Sequence, residues 1–226
     1  MEYTFFWKNK SPFSQWYGSW MNKNNETYDG SFIVGEFKYK TAEHYMMAEK
    51  ALLFKDFETR HKILKETHPR EVKKLGRLIN NFNQEKWDEY KEEIVYQGNY
   101  VKFTQHKDLR RKLLNTNDTK LVEASPLDPI WGIGLDEIEA KELDEKYWPG
   151  QNLLGKALMR VREQIKLDII YKTNEIVAFG DRLEKIKEAK NNAANKQNYA
   201  EAARLRDEEK AVEKEYQLLI NYIQYE

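Results

Sequence analysis

Two ionisable residues seven positions apart on one helix, and two carboxylates in a loop rich in proline and glycine, are the groups here best equipped for chemistry. Residues 41–54, TAEHYMMAEKALLF, carry helical periodicity. At about 100° per residue, Glu43, Met46, Met47, Lys50, Leu53 and Phe54 share one face, so a carboxyl and an amine sit inside an apolar stripe. At a rise of about 1.5 Å per residue, their Cα atoms stand about 10 Å apart along the axis. That separation suits a sugar-sized ligand between them better than a tight ion pair. Burial would push both groups toward their neutral forms, the state from which a carboxyl serves as an acid and an amine as a nucleophile. The plain structural alternative has Glu43 capping the helix start and Lys50 reaching to solvent over its apolar neighbours.

The second constellation lies in residues 122–162, where VEASPLDPIWGIGL is followed after a charged spacer by WPGQNLLGKALMRVR. Asp128 and Glu123 are its carboxylate candidates, although Asp128 before Pro129 also suits a turn cap. Gly132 and Gly134 permit close backbone approach, Pro126 and Pro129 stiffen the run, and Trp131 offers a flat surface to a ring. A helix beginning at Gln151-Asn152 would present free N–H groups to a ligand oxygen or phosphate. Arg77 and Arg162 are candidate phosphate contacts, while Trp87, on a helical stripe with Tyr90 and Ile94, fits a core role. The chain has no cysteine, and its four histidines lack metal-ligand spacing, so neither a metal nor a cofactor is expected.

The elements that must position these groups can be read from pattern. A length of 226 residues holds one sizeable domain plus an appendage. Basic and acidic residues balance at 38 each, so any phosphate recognition must be local. No apolar run could span a bilayer, and Met1-Glu2-Tyr3-Thr4 lacks the layout of a secretory signal; a cytoplasmic location is the expectation. Residues 1–40 are aromatic and β-prone, with a hairpin expected where residues 31–34 and 37–39 flank Gly35-Glu36. The pattern predicts helices over 41–54, 56–66, 69–80, 84–103, 106–115 and 151–166. From residue 166 alanines cluster, with Gly180 and residues 191–195 as punctuation. There Ala202, Tyr216 and Ile223, with Leu205, Val212 and Leu219, form a seam broken only by Glu209. The expected fold is α+β and predominantly helical, with a few short N-terminal strands and a C-terminal antiparallel helical hairpin.

PFS at 12–14, EHY at 43–45 followed by Lys50, LGR at 75–77, Trp87, KF at 102–103, and the runs VEASPLDPIWGIGL and GQNLLGKALMRVR strongly resemble the NADAR family, also called YbiA-like. The likeness covers about residues 1–165 in order, without large gaps. Departures are Gln15, where the family often has Asn, and Met47 and Glu49, which replace common glutamines. The resemblance implies a YbiA-like catalytic domain over residues 1–165 that hydrolyses the bond between ribose and an exocyclic amine. Two substrate classes follow from it: ADP-ribose on guanine in nucleic acid or nucleotides, and the ribosylamino-pyrimidinone phosphates of early riboflavin synthesis. A non-catalytic module binding ADP-ribose or NAD is the rival reading.

Breaking a C–N glycosidic bond builds positive charge at the anomeric carbon. A carboxylate nearby stabilises it, and an acid helps the amine leave. The resemblance thus implies Glu43, Lys50 and Asp128 as catalytic: Glu43 on the sugar side or activating water, Asp128 orienting the ribose or touching the base. Lys50 would capture the opened sugar covalently, hold a phosphate, or set the charge of Glu43. Phe13, Ser14, His44, Arg77, Trp87, Glu123, Trp131, Gly132, Gln151 and Asn152 would surround the substrate, with Trp87 and Trp131 bordering the heterocycle. In the tail, residues 190–215 resemble the UVR motif of UvrB, UvrC and some Clp-type unfoldases, which implies docking on another protein or on a second copy.

Overall fold

Several helix starts in this chain are set by short polar side chains that take over otherwise unpaired N–H groups. The computed structural model describes residues 2–18, 20–21 and 27–223. Strands β1 (Tyr3–Phe6), β2 (Trp20–Met21), β3 (Thr27–Tyr28), β4 (Phe32–Val34) and β5 (Phe37–Tyr39) come first. Helices α1 (Ala42–Leu53), α2 (Phe57–Lys65), α3 (Pro69–Arg77), α4 (Gln84–Gln105) and α5 (Lys107–Leu114) follow, then β6 (Lys120–Glu123), α6 (Glu137–Lys141), a 3₁₀ turn at Glu145–Tyr147, α7 (Leu153–Asn195) and α8 (Tyr199–Ile223). Thr41, Asp56 and Asn83 cap α1, α2 and α4. The chain divides into two units, residues 1–163 and 164–226.

In the first unit, α1 packs against α2, α3 and α4, so the helix carrying Glu43 and Lys50 is the central one. Its inner face contributes Met46, Ala48 and Ala51 to the core. At the α1–α3 crossing Gly76 is needed for contact, because a Cβ there would lie 2.0 Å from the Met47 sulfur. The expected hairpin forms as β4–β5, antiparallel, with Gly35 at φ +59°. Pattern reading missed the parallel pair β1–β6, whose partners are 117 residues apart, from Tyr3 opposite Lys120 to Phe6 opposite Glu123. It also missed α6, which a capping box between Asp136 and Glu139 stabilises despite its five-residue length.

The second unit is an antiparallel hairpin. The helix expected to stop at 166 continues to Asn195, since nothing between Lys156 and Phe179 breaks it, and Gly180 is carried inside the helix. The chain reverses at residues 196–198, with Gln197 at φ +55°. Leu183, Ile186, Ala193, Leu205 and Val212 form the hairpin core, joined by Phe179, Ala202 and Tyr216. Glu209, the polar break in the expected seam, is paired with Lys190 across the hairpin. The Ile223 side chain of that seam lies outside the described residues.

Candidate active site

Both strands of the parallel pair end at the same place, and the chain leaving each one builds a wall of a cleft. Ala124 donates to the Phe6 carbonyl at 2.9 Å, which sets the two exits side by side. A cleft of about 350 Å³ is lined there by Trp7, Lys8 and Asn9 after β1, by Glu123, Ser125, Leu127 and Asp128 from β6 onward, and by Ser14, Trp16 and Lys73. Such a volume lies within the range of small-molecule sites.

Two carboxyl groups that line this cleft, Glu123 and Asp128, are coupled electrostatically to Glu43 on α1 and to the Lys73 amine. Glu43 is 4% exposed. Burial pushes its carboxyl up to about 7; the Asp128 carboxylate adds to the rise, while Lys73, Lys50 and Arg77 oppose it. Burial also pushes Glu123 up to about 8, with Asp128 and Glu43 adding to the rise and Lys73 opposing it. One Glu123 carboxylate oxygen, Oε2, is buried without a hydrogen-bond partner, which fits a carboxyl held toward its neutral form. Glu43 does not cap α1, as the plain structural alternative had it. Thr41 does that, and the Glu43 N–H donates instead to the Gln15 carbonyl at 2.9 Å.

Lys50 is half-buried on the same helix. Its Nζ donates to the Gly76 carbonyl at 3.1 Å and lies 4.3 Å from the Phe82 ring centroid and 5.3 Å from that of Trp87. Burial draws its pKa down, and only Glu43 pulls it back. Trp87 is therefore part of the Lys50 surroundings, whereas Tyr90 of the expected apolar stripe is 43% exposed. Arg77 is exposed at the end of α3, within electrostatic reach of Glu43.

Several residues expected around the substrate serve the scaffold instead. His44 is 2% exposed and both ring nitrogens are used, Nδ1 accepting from the Lys40 N–H at 3.1 Å and Nε2 lying 2.8 Å from the Ile63 carbonyl. Phe13 packs against Phe6 and Phe103. Four backbone donors at the start of α7 are turned to the preceding loop. The N–H groups of Gln151, Asn152, Leu153 and Leu154 donate to the carbonyls of Pro129, Gly132, Ile130 and Trp131. The Asn152 side chain accepts from the Glu123 N–H at 3.0 Å and donates to the Leu121 carbonyl at 2.9 Å. Unpaired helix-start donors are costly when buried, and here the loop itself satisfies them. Gly132 is required for this closure, because a Cβ would lie 2.8 Å from the Glu123 carbonyl and 2.9 Å from that of Asp128. Asp128 makes the expected turn cap, its Oδ1 accepting from the N–H groups of Ile130 and Trp131, and the residue lines the cleft. Trp131 is half-buried in this loop and does not line the cleft. Arg162 is spent on Thr116 and the Thr119 carbonyl.

Pattern reading missed Lys73, Trp7, Trp16 and Lys8. The one local signal for Lys73 is that it sits four residues before Arg77, on the same side of α3. It also missed what Lys102 does. That residue is fully buried, its pKa lowered by burial to about 7, and its Nζ donates to the carbonyls of Pro12 at 2.7 Å and Ser14 at 3.2 Å. The Asn99 amide holds the Gln15 side chain at 2.9 Å in the same way. Together they set the 12–15 loop, whose Ser14 lines the cleft and whose Gln15 carbonyl receives the start of α1. Replacing Lys102 with Met leaves the Pro12 carbonyl without this donor, while the Ser14 carbonyl keeps the Tyr17 N–H, and a loss of about 1–3 kcal/mol in stability is expected by urea denaturation. Unchanged stability would show that the loop is held by other contacts.

Known proteins share this arrangement of elements. The family model for the NADAR domain matches residues 5–166, and the UvrB/uvrC motif matches residues 180–215. N-glycosidase R617 of Acanthamoeba polyphaga mimivirus is 50% identical over 127 residues, 56% of this chain and 75% of the relative. Protein irg-1 of Caenorhabditis elegans is 39% identical over 149 residues, 65% of this chain and 70% of the relative. N-glycosidase YbiA of Escherichia coli (strain K12) is 32% identical over 130 residues, 58% of this chain and 72% of the relative. The NMR structure of the E. coli protein YbiA superimposes with a TM-score of 0.58 at 27% identity, covering 74% of this chain and 86% of that one.

Proposed function

The chain belongs to the NADAR domain family, and on that premise we propose that it is an N-glycosidase, a hydrolase cleaving the bond between a ribosyl C1′ and an exocyclic amine. The preferred substrate is ADP-ribose carried on guanine, in a nucleotide or in nucleic acid. Names of relatives support the reaction class, two of the three relatives described above being called N-glycosidases. The observation that carries the proposal is the carboxyl cluster at the cleft, with Glu43 at about 7 and Glu123 at about 8.

These values suit opposite tasks near neutral pH. Glu123, still protonated there, gives its proton to the departing amine. Glu43, partly ionised, takes a proton from water. Asp128 faces the positive charge that develops at C1′. Lys50 supplies an amine drawn toward its neutral form: its Nζ bonds to C1′ of the ring-opened sugar as the C1′–N bond to the base breaks. Water then hydrolyses that imine, returning the amine to Lys50 and the sugar as an aldehyde that recloses. The net reaction consumes one water and needs no cofactor. A second reading, in which Lys50 only sets the charge on Glu43, draws on its placement against the Phe82 and Trp87 rings.

The test is direct. ADP-ribosylated guanosine nucleotide, ADP-ribosylated DNA and a ribosylamino-pyrimidinone phosphate are incubated with the full chain, and release of free sugar is measured. Release from the guanine substrates above all supports the proposal. Turnover of the pyrimidinone alone reassigns the substrate, and no release from any of them overturns the reaction class.

The hairpin at 164–226 is proposed as a docking element for a protein partner or a second copy. A chain ending at Lys166 is expected to keep glycosidase activity while losing association seen by light scattering or pull-down. If the shortened chain keeps every association, the docking role is lost.

A further inference from the structure

Lys73, half-buried on α3, lines the cleft with Glu123 and Asp128 and forms an ion pair with neither. Its neighbour Lys74 is paired with Glu71 at 3.5 Å, whereas among the described residues no carboxylate pairs with Lys73. Its Nζ lies instead 5.7 Å from the Trp16 ring centroid, where attraction to the indole offsets part of its desolvation. Lys8, the other cation lining the cleft, stands over a different ring, 4.7 Å from that of Trp7.

The packing of α3 fixes where the Lys73 ammonium stands. This helix meets α1 at Gly76, against Met47, and Lys50 Nζ donates to the Gly76 carbonyl at 3.1 Å. Lys73 comes one turn earlier, on the same side of α3. Trp16, beside its Nζ, follows Gln15, whose carbonyl accepts the Glu43 N–H at 2.9 Å. The amine therefore stands at the first turn of α1 on one side and at the end of β6 on the other. Electrostatics agree with that placement. Burial raises both carboxyls; among the charges acting on Glu43, Lys73 comes first, ahead of Asp128, Lys50 and Arg77, and at Glu123 it opposes Asp128 and Glu43.

The proposed reaction moves charge between those two carboxyls. Glu43 starts ionised and Glu123 protonated. Water gives a proton to Glu43, and Glu123 gives one to the departing amine. One negative charge has then passed from Glu43 to Glu123, and the cycle closes when the proton on Glu43 returns to Glu123 through water. A cation in reach of both carboxyls is matched to either state and need not move.

We infer that Lys73 is a positioning residue for the glycosidase reaction, a fixed counter-cation that supports the negative charge first on Glu43 and then on Glu123. This rests on the proposed reaction and deepens it, since Lys73 acts through the two carboxyls and not on the sugar or the base.

The experiment follows sugar release across pH for the full chain and for Lys73→Met, Lys73→Arg and the exposed control Lys74→Met. The substrate is ADP-ribosylated guanosine nucleotide, or the pyrimidinone phosphate if wild type cleaves only that. Removing the cation raises both carboxyls further. Lys73→Met is therefore expected to move both limbs of the profile to higher pH by about half a unit or more, and to lower kcat near neutral pH about tenfold. Lys73→Arg is expected to restore both limbs and most of kcat, and Lys74→Met to match wild type. Limbs that stay in place in Lys73→Met, a loss confined to KM, limbs that Lys73→Arg does not restore, or an equal shift in Lys74→Met each overturn the inference while leaving the reaction standing. If wild type releases no sugar from any substrate, the reaction itself fails, and NMR titration of the Glu43 and Glu123 carboxyls decides the role of Lys73 separately. An upward shift of both in Lys73→Met upholds the counter-cation, and unshifted carboxyls overturn it.

Discussion

Glu43→Gln is expected to lower kcat/KM by about a thousandfold, in line with removal of a general base or charge stabiliser, while raising stability above neutral pH. Amide and protonated carboxyl have nearly the same shape, so the packing of α1 on Gln15 is retained. The activity profile supplies the sharper measurement. Glu43 must be ionised and Glu123 protonated, so activity in the wild type is confined to a narrow window between about 7 and about 8. Glu43→Gln removes the rise on the acid side from whatever activity is left, and Glu123→Gln removes the fall on the alkaline side.

Stability runs the other way, and its sign follows from linkage. Both carboxyls have folded pKa values raised above 4.5, so the native state holds more protons than the unfolded chain between that value and about 7 for Glu43 or about 8 for Glu123. Stability is therefore greatest on the acid side of this window and falls as pH rises through it. Glu43→Gln escapes that loss. At pH 8 a gain of about 2 kcal/mol, read as an increase in Tm of several degrees, is expected. A variant that is inactive and less stable than wild type at pH 8 would mean that Glu43 holds the fold together, with no catalytic role to explain its burial.

The second large effect concerns Lys50. Borohydride added during turnover is expected to leave the sugar on Lys50 as a stable secondary amine, located by peptide mass, and Lys50→Ala and Lys50→Arg are both expected to lose at least a hundredfold in activity. Arginine keeps the positive charge next to Glu43 but has no nucleophilic amine, so it separates the two readings. Substantial activity in Lys50→Arg with no adduct in wild type would return Lys50 to an electrostatic role. In that event the alkaline limb remains, because it belongs to Glu123, while the acid limb moves upward in Lys50→Ala as Glu43 loses a stabilising cation.

How far these groups could be read from the linear chain depends on the range of the interactions that place them. The Glu43 and Lys50 face of α1 was legible because helical periodicity is local, and the hairpin β4–β5 and the tail seam were legible for the same reason. Motif resemblance carried the family and the carboxyl Asp128. At residues 151–152 a helix start looks like an open donor site until the loop that covers it is known, and that loop accepts through carbonyls at residues 129–132. The two backbone partners of the His44 ring, at Lys40 and Ile63, depend on how α1 meets its neighbours.

Local pattern and composition were therefore enough to establish a helical α+β domain with an appended hairpin, the amphipathic face bearing Glu43 and Lys50, and chemistry without thiols. Tertiary structure alone decided that Glu123 is buried and coupled to Glu43 and Asp128, that Lys73 and Trp16 complete the cleft, and that Asn152 and Lys102 hold the loops around it. The physical reason is that desolvation and charge coupling depend on distances across the fold. The pairing of Phe6 with Glu123 spans 117 positions, and no period in the sequence encodes it.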